Sequence, residues 1–174
     1  MPITSPNHTS SPFILLIEDN KKDIALVKNN LAEGGVLRNH LSACQSIKEA
    51  IHFLKEHTEF STILLDLSVS DGIALSGLKT LKKNFPDKII LVFADKTYHH
   101  LGIESIKAGA QEFLLKEQLV TENIYPIIQF AVERAEVFKQ EANEKLRKIK
   151  QNSQQLYQDT VSYTHLTLPT ICSV

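Results

Sequence analysis

The sequence has almost no cysteine, no surplus of charge of either sign and no long apolar run. Cys44 and Cys172 are the only 2 cysteines among 174 residues, and His40 is a lone potential ligand near Cys44. That excludes a disulfide framework and argues against a zinc site, and it suits a reducing compartment. Lys and Arg number 19 against 20 Asp and Glu, so no broad positive field draws nucleic acid or an anionic membrane surface, and neither is expected as a partner. No apolar run approaches the roughly 18 residues needed to cross a bilayer, and the opening MPITSPNHTSSP has neither the basic nor the hydrophobic region of a secretion signal. A cytoplasmic location is expected.

What is present is ordinary for a globular domain: 43% hydrophobic and 22% charged residues, enough for one core and a tail. Residues 1–12, rich in Ser, Thr and Pro, read as a flexible leader. Three continuous apolar runs of strand length follow, Phe13–Ile17, Thr62–Leu65 and Ile89–Phe93, which suit strands buried on both faces of a parallel sheet. Between them lie segments with helical spacing: Ile24, Val27 and Leu31; Ile47, Ala50, Ile51 and Leu54; Leu75, Leu78 and Leu81. A second strand is expected between Gly35 and Ile47, a fourth helix over Leu101–Ala108, and a fifth strand over Glu112–Leu115 after Gly109. A fifth helix should start near Thr121–Asn123 with Pro126 in its opening turn. Alternating strands and helices of this kind make a doubly wound α/β fold with a five-stranded parallel sheet, whose ligands bind at the carboxyl ends of the strands.

Glu18 and Asp19 directly follow the first strand, Asp66 the third and Lys116 the fifth, which puts all four on one rim of the sheet. A single acid or lysine at a strand end is ordinarily just solvated; four at one rim make a site. Crowded carboxylates stay ionised only if a cation offsets their charge, and an all-oxygen donor set selects Mg²⁺, or Mn²⁺ in its place. A carboxylate in such a site can attack phosphorus to form an acyl phosphate, with a lysine to neutralise the transferred oxygens.

The segments FILLIEDNKKD, ILLDLSVSDG, IILVFA and GAQEFLLK resemble, in order and spacing, the blocks of response-regulator receiver domains. The resemblance covers residues 13–135 and implies a flavodoxin-like fold with strand order 2-1-3-4-5. It implies that Asp66 is the phosphoacceptor in phosphorelay signalling, supplied by a histidine kinase or phosphotransfer protein. It further implies that Glu18, Asp19, Asp66 and the main-chain carbonyl of Ser68 hold Mg²⁺, that Lys116 contacts the phosphoryl group, and that Phe113 is the aromatic that reorients. Such a domain is not an enzyme beyond self-phosphorylation and autodephosphorylation. An aspartyl phosphatase would need a second acid two residues after the nucleophile, where Ser68 stands.

The chain departs from the family pattern in several places. Ala94 stands where receivers usually carry Thr or Ser, forfeiting a hydrogen bond to the phosphoryl group worth about 1.5–3 kcal/mol. This makes a weakly switching receiver, or a pseudo-receiver that only binds partners through helix four, strand five and helix five, the alternative reading. Ser70 replaces the usual proline of the loop after Asp66, which is lengthened up to Gly77, and Glu117 replaces the proline that often follows the lysine. His99 and His100 suit a solvated pair, and Asp23 suits the N-terminal half of the first helix better than a metal.

From Phe130, the residues Ala131, Ala135, Phe138, Ala142, Leu146, Ile149 and Leu156 recur mostly at spacings of three and four, a narrow stripe that suits a coiled-coil homodimer or a linker over 136–160. The helical pattern breaks at Val161. VSYTHLTLPT, residues 161–170, resembles a translated transposase adapter of sequencing libraries, so residues 161–174 are expected to be non-native. On that reading Cys172 is not biological, the natural chain was cut near Asp159, and an output domain such as a kinase or cyclase is missing.

Overall fold

The computed structural model describes residues 11–166; residues 1–10 of the expected leader and residues 167–174 of the expected non-native segment lie outside them. Five strands, β1 (Phe13–Ile17), β2 (Leu41–Cys44), β3 (Phe60–Asp66), β4 (Ile89–Ala94) and β5 (Glu112–Leu115), pair in parallel in the order β2-β1-β3-β4-β5. Six α-helices accompany them: α1 (Lys21–Glu33), α2 (Ile47–Glu56), α3 (Leu75–Asn84), α4 (Gly102–Lys107), α5 (Gln118–Thr121) and α6 (Tyr125–Leu166).

The unbroken apolar strands follow from burial on two faces. Leu15, Ile17, Ile63, Leu65, Ile90 and Val92 pack with Ala50 and Leu54 of α2 and Leu78 and Leu81 of α3. The alternate residues Ile14, Leu16, Leu64, Leu91, Phe93 and Leu114 pack with Val27 and Leu31 of α1 and with Ile124, Ile128 and Ala131. A strand with one wet face would show polar residues at every second position.

Several boundaries differ from those the sequence suggests. The fourth helix is preceded by a 3₁₀ turn over Lys96–Leu101, and Gly109 at φ +103° then turns the chain into β5, a conformation that favours glycine. The expected fifth helix starts at Tyr125, slightly later than the sequence suggests and with Pro126 in its opening turn as expected, and a short unexpected helix, α5, precedes it and ends where Glu122 is extended. One buried side chain organises this break. Asn30 of α1 donates from Nδ2 to the carbonyls of Leu119 (2.8 Å) and Glu122 (2.6 Å) and accepts from the Ile124 N–H (3.0 Å).

Two compact units divide the described residues, one ending at Ala135 and the other starting at Glu136. In the second, Phe138, Leu146, Ile149 and Leu156 are exposed. Helix α6 continues past Val161 to Leu166. No glycine or proline occurs between Ile127 and Leu166 to stop it.

Candidate functional site

The carboxyl ends of β1, β3 and β5 bring Glu18, Asp66 and Lys116 together. Glu18 N–H donates to the Cys44 carbonyl (3.0 Å), continuing the β1–β2 ladder past Ile17. Its side chain is 1% exposed, with Oε1 accepting from the Asn20 N–H at 2.8 Å. Asn20 caps α1 by accepting from the Lys22 N–H, so the acidic pair sits in the turn between strand and helix. Asp19 is exposed and accepts from the Ser70 N–H at 3.2 Å, linking it to the loop after β3.

Asp66 is fully buried. Its Oδ2 accepts from Ser68 Oγ and from Lys116 Nζ, while Oδ1 has no hydrogen-bond partner among the described residues. An ionised oxygen buried without a donor is costly unless a cation meets it. Glu18, Asp19 and Asp66 each offer a carboxylate oxygen within 4.8 Å of the others, close to the ~4.2 Å that separates opposite ligands of an octahedral Mg²⁺. The donor set and the unpartnered oxygen therefore fit a hard divalent cation.

Lys116 bonds Asp23 Oδ2 at 2.7 Å, Glu18 Oε2 at 2.9 Å and Asp66 Oδ2 at 3.2 Å, and its Nζ lies 5.5 Å from the centre of the Phe93 ring. Three carboxylates, Glu18, Asp23 and Asp66, thus surround one ammonium. Burial alone would push the Lys116 ammonium down, but its hydrogen bonds to Asp23 and Glu18 and the charge of Asp66 outweigh that and hold it above the usual lysine range. Burial raises the Glu18 carboxyl to about 7, against the opposing pull of the Asn20 N–H and Lys116.

The loop after Asp66 is held from both sides. Asp71 accepts from the Ile47 and Lys48 N–H groups (2.8 and 3.0 Å), capping α2, and Ala74 N–H returns to the Leu67 carbonyl at 2.9 Å. The extra residues form turns, and α3 begins at Leu75, so Gly77 lies inside its first turn. A side chain at Gly77 would meet the Gly72 carbonyl at 2.9 Å, and one at Gly72 would meet Ile47 Cγ1 at 2.6 Å and the Gly77 Cα at 3.0 Å, which is why both glycines are needed there.

Ala94 is fully buried at the end of β4, its carbonyl accepting from the Lys116 N–H at 3.0 Å, and it brings no hydroxyl to the site. Thr97 is exposed in the following turn. Phe113 is half-buried against Gly102, where a methyl group would come within 3.3 Å of the ring. His99 and His100 are exposed, and His100 Nδ1 bonds the Thr97 carbonyl.

Residues 14–127 match the response regulator receiver domain family. The chain belongs to that family. The receiver fold also recurs in solved structures. A response regulator receiver domain protein from Clostridium thermocellum superposes with a TM-score of 0.60 at 18% identity, over 72% of this chain and 97% of that one. The NtrX receiver domain from Brucella abortus gives 0.57 at 17%, over 69% and 98%. The beryllofluoride-activated NtrC4 receiver domain dimer gives 0.56 at 25%, over 70% and 97%. A search of the curated proteins returned no match. Among this receiver's described residues no helix is long and apolar enough to cross a membrane.

Asp23 is the site residue that sequence reasoning missed. It does occupy the first turn of α1, as expected, but its carboxylate is also the nearest partner of Lys116. Its position in the first turn of α1, four residues after Asp19, was the available signal.

Proposed function

We propose that Asp66 is a phosphoacceptor that takes a phosphoryl group from a histidine kinase or phosphotransfer protein in a phosphorelay. The observation that carries this reading is the buried Asp66 carboxylate, with one oxygen unpartnered, flanked by Glu18 and Asp19 and hydrogen-bonded to Lys116. In the reaction a carboxylate oxygen bonds phosphorus as the phosphorus–nitrogen bond of the donor histidine breaks, leaving an acyl phosphate on Asp66 and the imidazole as leaving group. Lys116 meets the transferred oxygens with its ammonium. Glu18, Asp19, Asp66 and the Ser68 carbonyl would hold Mg²⁺, which supplies charge neutralisation for the phosphoryl oxygens. The domain acts as a signalling module rather than an enzyme, in the cytoplasm. Its exposed helical stripe, Phe138, Leu146, Ile149 and Leu156, suits a homodimer or a connection to an output domain.

The test is incubation of the purified chain with Mg²⁺ and acetyl phosphate, read by intact mass. A single phosphoryl adduct is expected on the wild type and none on Asp66→Asn; no adduct under conditions that label an ordinary receiver would overturn the reading.

Ala94 favours a second reading, a domain that takes the phosphoryl group but switches weakly, or one that only binds partners. With no hydroxyl at the end of β4, the turn over Lys96–Leu101 lacks the usual donor that would draw it inward. Amide shifts over residues 94–101 on beryllofluoride addition should be small in the wild type and larger in Ala94→Thr. A full shift in the wild type would eliminate this reading.

A further inference from the structure

A lysine ammonium donates three hydrogen bonds, and all three of Lys116 are taken by carboxylates. The longest runs to Asp66 at 3.2 Å and the shortest to Asp23 at 2.7 Å. Asp23 is not among the three carboxylates placed closely enough to share a cation. It lies on α1 with its side chain 25% exposed, whereas that of Lys116 is 12% exposed. An acid that served only the helix N-terminus would have no need of a cation from the end of β5.

We infer that Asp23 is a positioning residue that draws the Lys116 ammonium toward α1 before phosphorylation, leaving Asp66 the longest of its three bonds, and yields it to the phosphoryl group, so that it restrains the rate at which Asp66 is phosphorylated. This rests on the phosphoacceptor reading of Asp66. Helix α1 is fixed by Asn30, two turns beyond Asp23, through its three hydrogen bonds to residues 119–124. Asp23 therefore cannot follow the ammonium; the flexible lysine stem moves instead. With all three protons taken, the phosphoryl oxygens gain Lys116 only as one of these carboxylate bonds gives way, and Asp23 holds the shortest of them. The charge of Asp23 also opposes the approach of an anionic donor. The phosphoryl group wins because it carries more charge than one carboxylate.

The test compares the full chain with Asp23→Asn, Asp23→Ala and Asp23→Glu. Two quantities are read: the initial rate of Asp66 phosphorylation by acetyl phosphate with Mg²⁺, by intact mass, and the ¹H–¹⁵N signal of the Lys116 ammonium in the metal-free, unphosphorylated protein. The Asn and Ala variants should phosphorylate about three- to fivefold faster, the upper part of what a partly exposed ion pair is worth, and their ammonium protons should exchange faster with water. Asp23→Glu should return both quantities toward wild type; a weakened helix N-terminus by itself would leave the Lys116 ammonium signal of the Asn and Ala variants unchanged. An unchanged or slower rate in Asn and Ala overturns the proposal, as does an unchanged ammonium signal. If the wild type itself takes no phosphoryl group, the phosphoacceptor reading falls and this inference with it; adducts on the wild type with unaltered variant rates overturn Asp23 alone.

Discussion

Glu18 and Lys116 face each other at 2.9 Å, yet burial still lifts the Glu18 carboxyl to about 7. The folded state therefore binds a proton on Glu18 more tightly than the unfolded chain, whose glutamates titrate near 4.5. The sign follows: the contribution of Glu18 to stability is fully present below about pH 4.5 and is lost as pH rises through about 7. In a chelator, the denaturation midpoint of the wild type should fall from pH 5 to pH 7.5 relative to that of Glu18→Gln. Excess Mg²⁺ should abolish this difference in slope, because a bound cation favours the ionised carboxylate. Urea titrations at the two pH values, with and without Mg²⁺, check it.

Asn30→Ala should destabilise the domain by about 3 kcal/mol, since it removes three hydrogen bonds and leaves two carbonyls and one N–H without their partner at a buried position. Chemical denaturation measures the loss. Amide hydrogen exchange should quicken first at Ile124 and over α5.

Thr62→Val should stabilise the domain by about 1 kcal/mol, because the Thr62 hydroxyl is fully buried in β3 and has no partner among the described residues. Valine keeps the shape and drops the unmet polar group. A thermal midpoint that falls in this variant would contradict the assignment.

Ala74 has φ +56° and ψ −130°, a conformation that glycine adopts far more easily than alanine. Ala74→Gly should therefore stabilise by about 1 kcal/mol after the greater freedom of glycine in the unfolded chain is deducted. Because Ala74 closes the loop after Asp66 onto Leu67, its adduct formation with acetyl phosphate should be measured beside its denaturation midpoint.

The fold was legible where burial is two-sided. Leu15, Leu64 and Leu91 belong to runs that no amphipathic element would carry, so β1, β3 and β4 declared themselves. The edge strand β2 did not, because Leu41, Ser42 and Ala43 are only partly buried and lack β-branched residues. The rim placement of Glu18, Asp19, Asp66 and Lys116 follows from strand ends alone. The bond between Asp23 and Lys116 does not, because it depends on how far a lysine reaches across the top of the sheet, 93 residues away in sequence. The start of α6 had local signals, since Asn123 accepts from the Tyr125 N–H and Pro126 follows, whereas the short helix α5 before it is tied down by Asn30 from far along the chain.

The reach of Asn30 also orders events at the ribosome. Its partners lie 89 to 94 residues downstream, so while the nascent chain ends anywhere short of Ile124, α1 carries an amide that has no place in an apolar core. The early strands can collapse, but the first helix cannot seat permanently until one of the last segments of the domain has left the exit tunnel. A receiver halted before that point should be recognised as incomplete by proteases, however much of its sheet is already present.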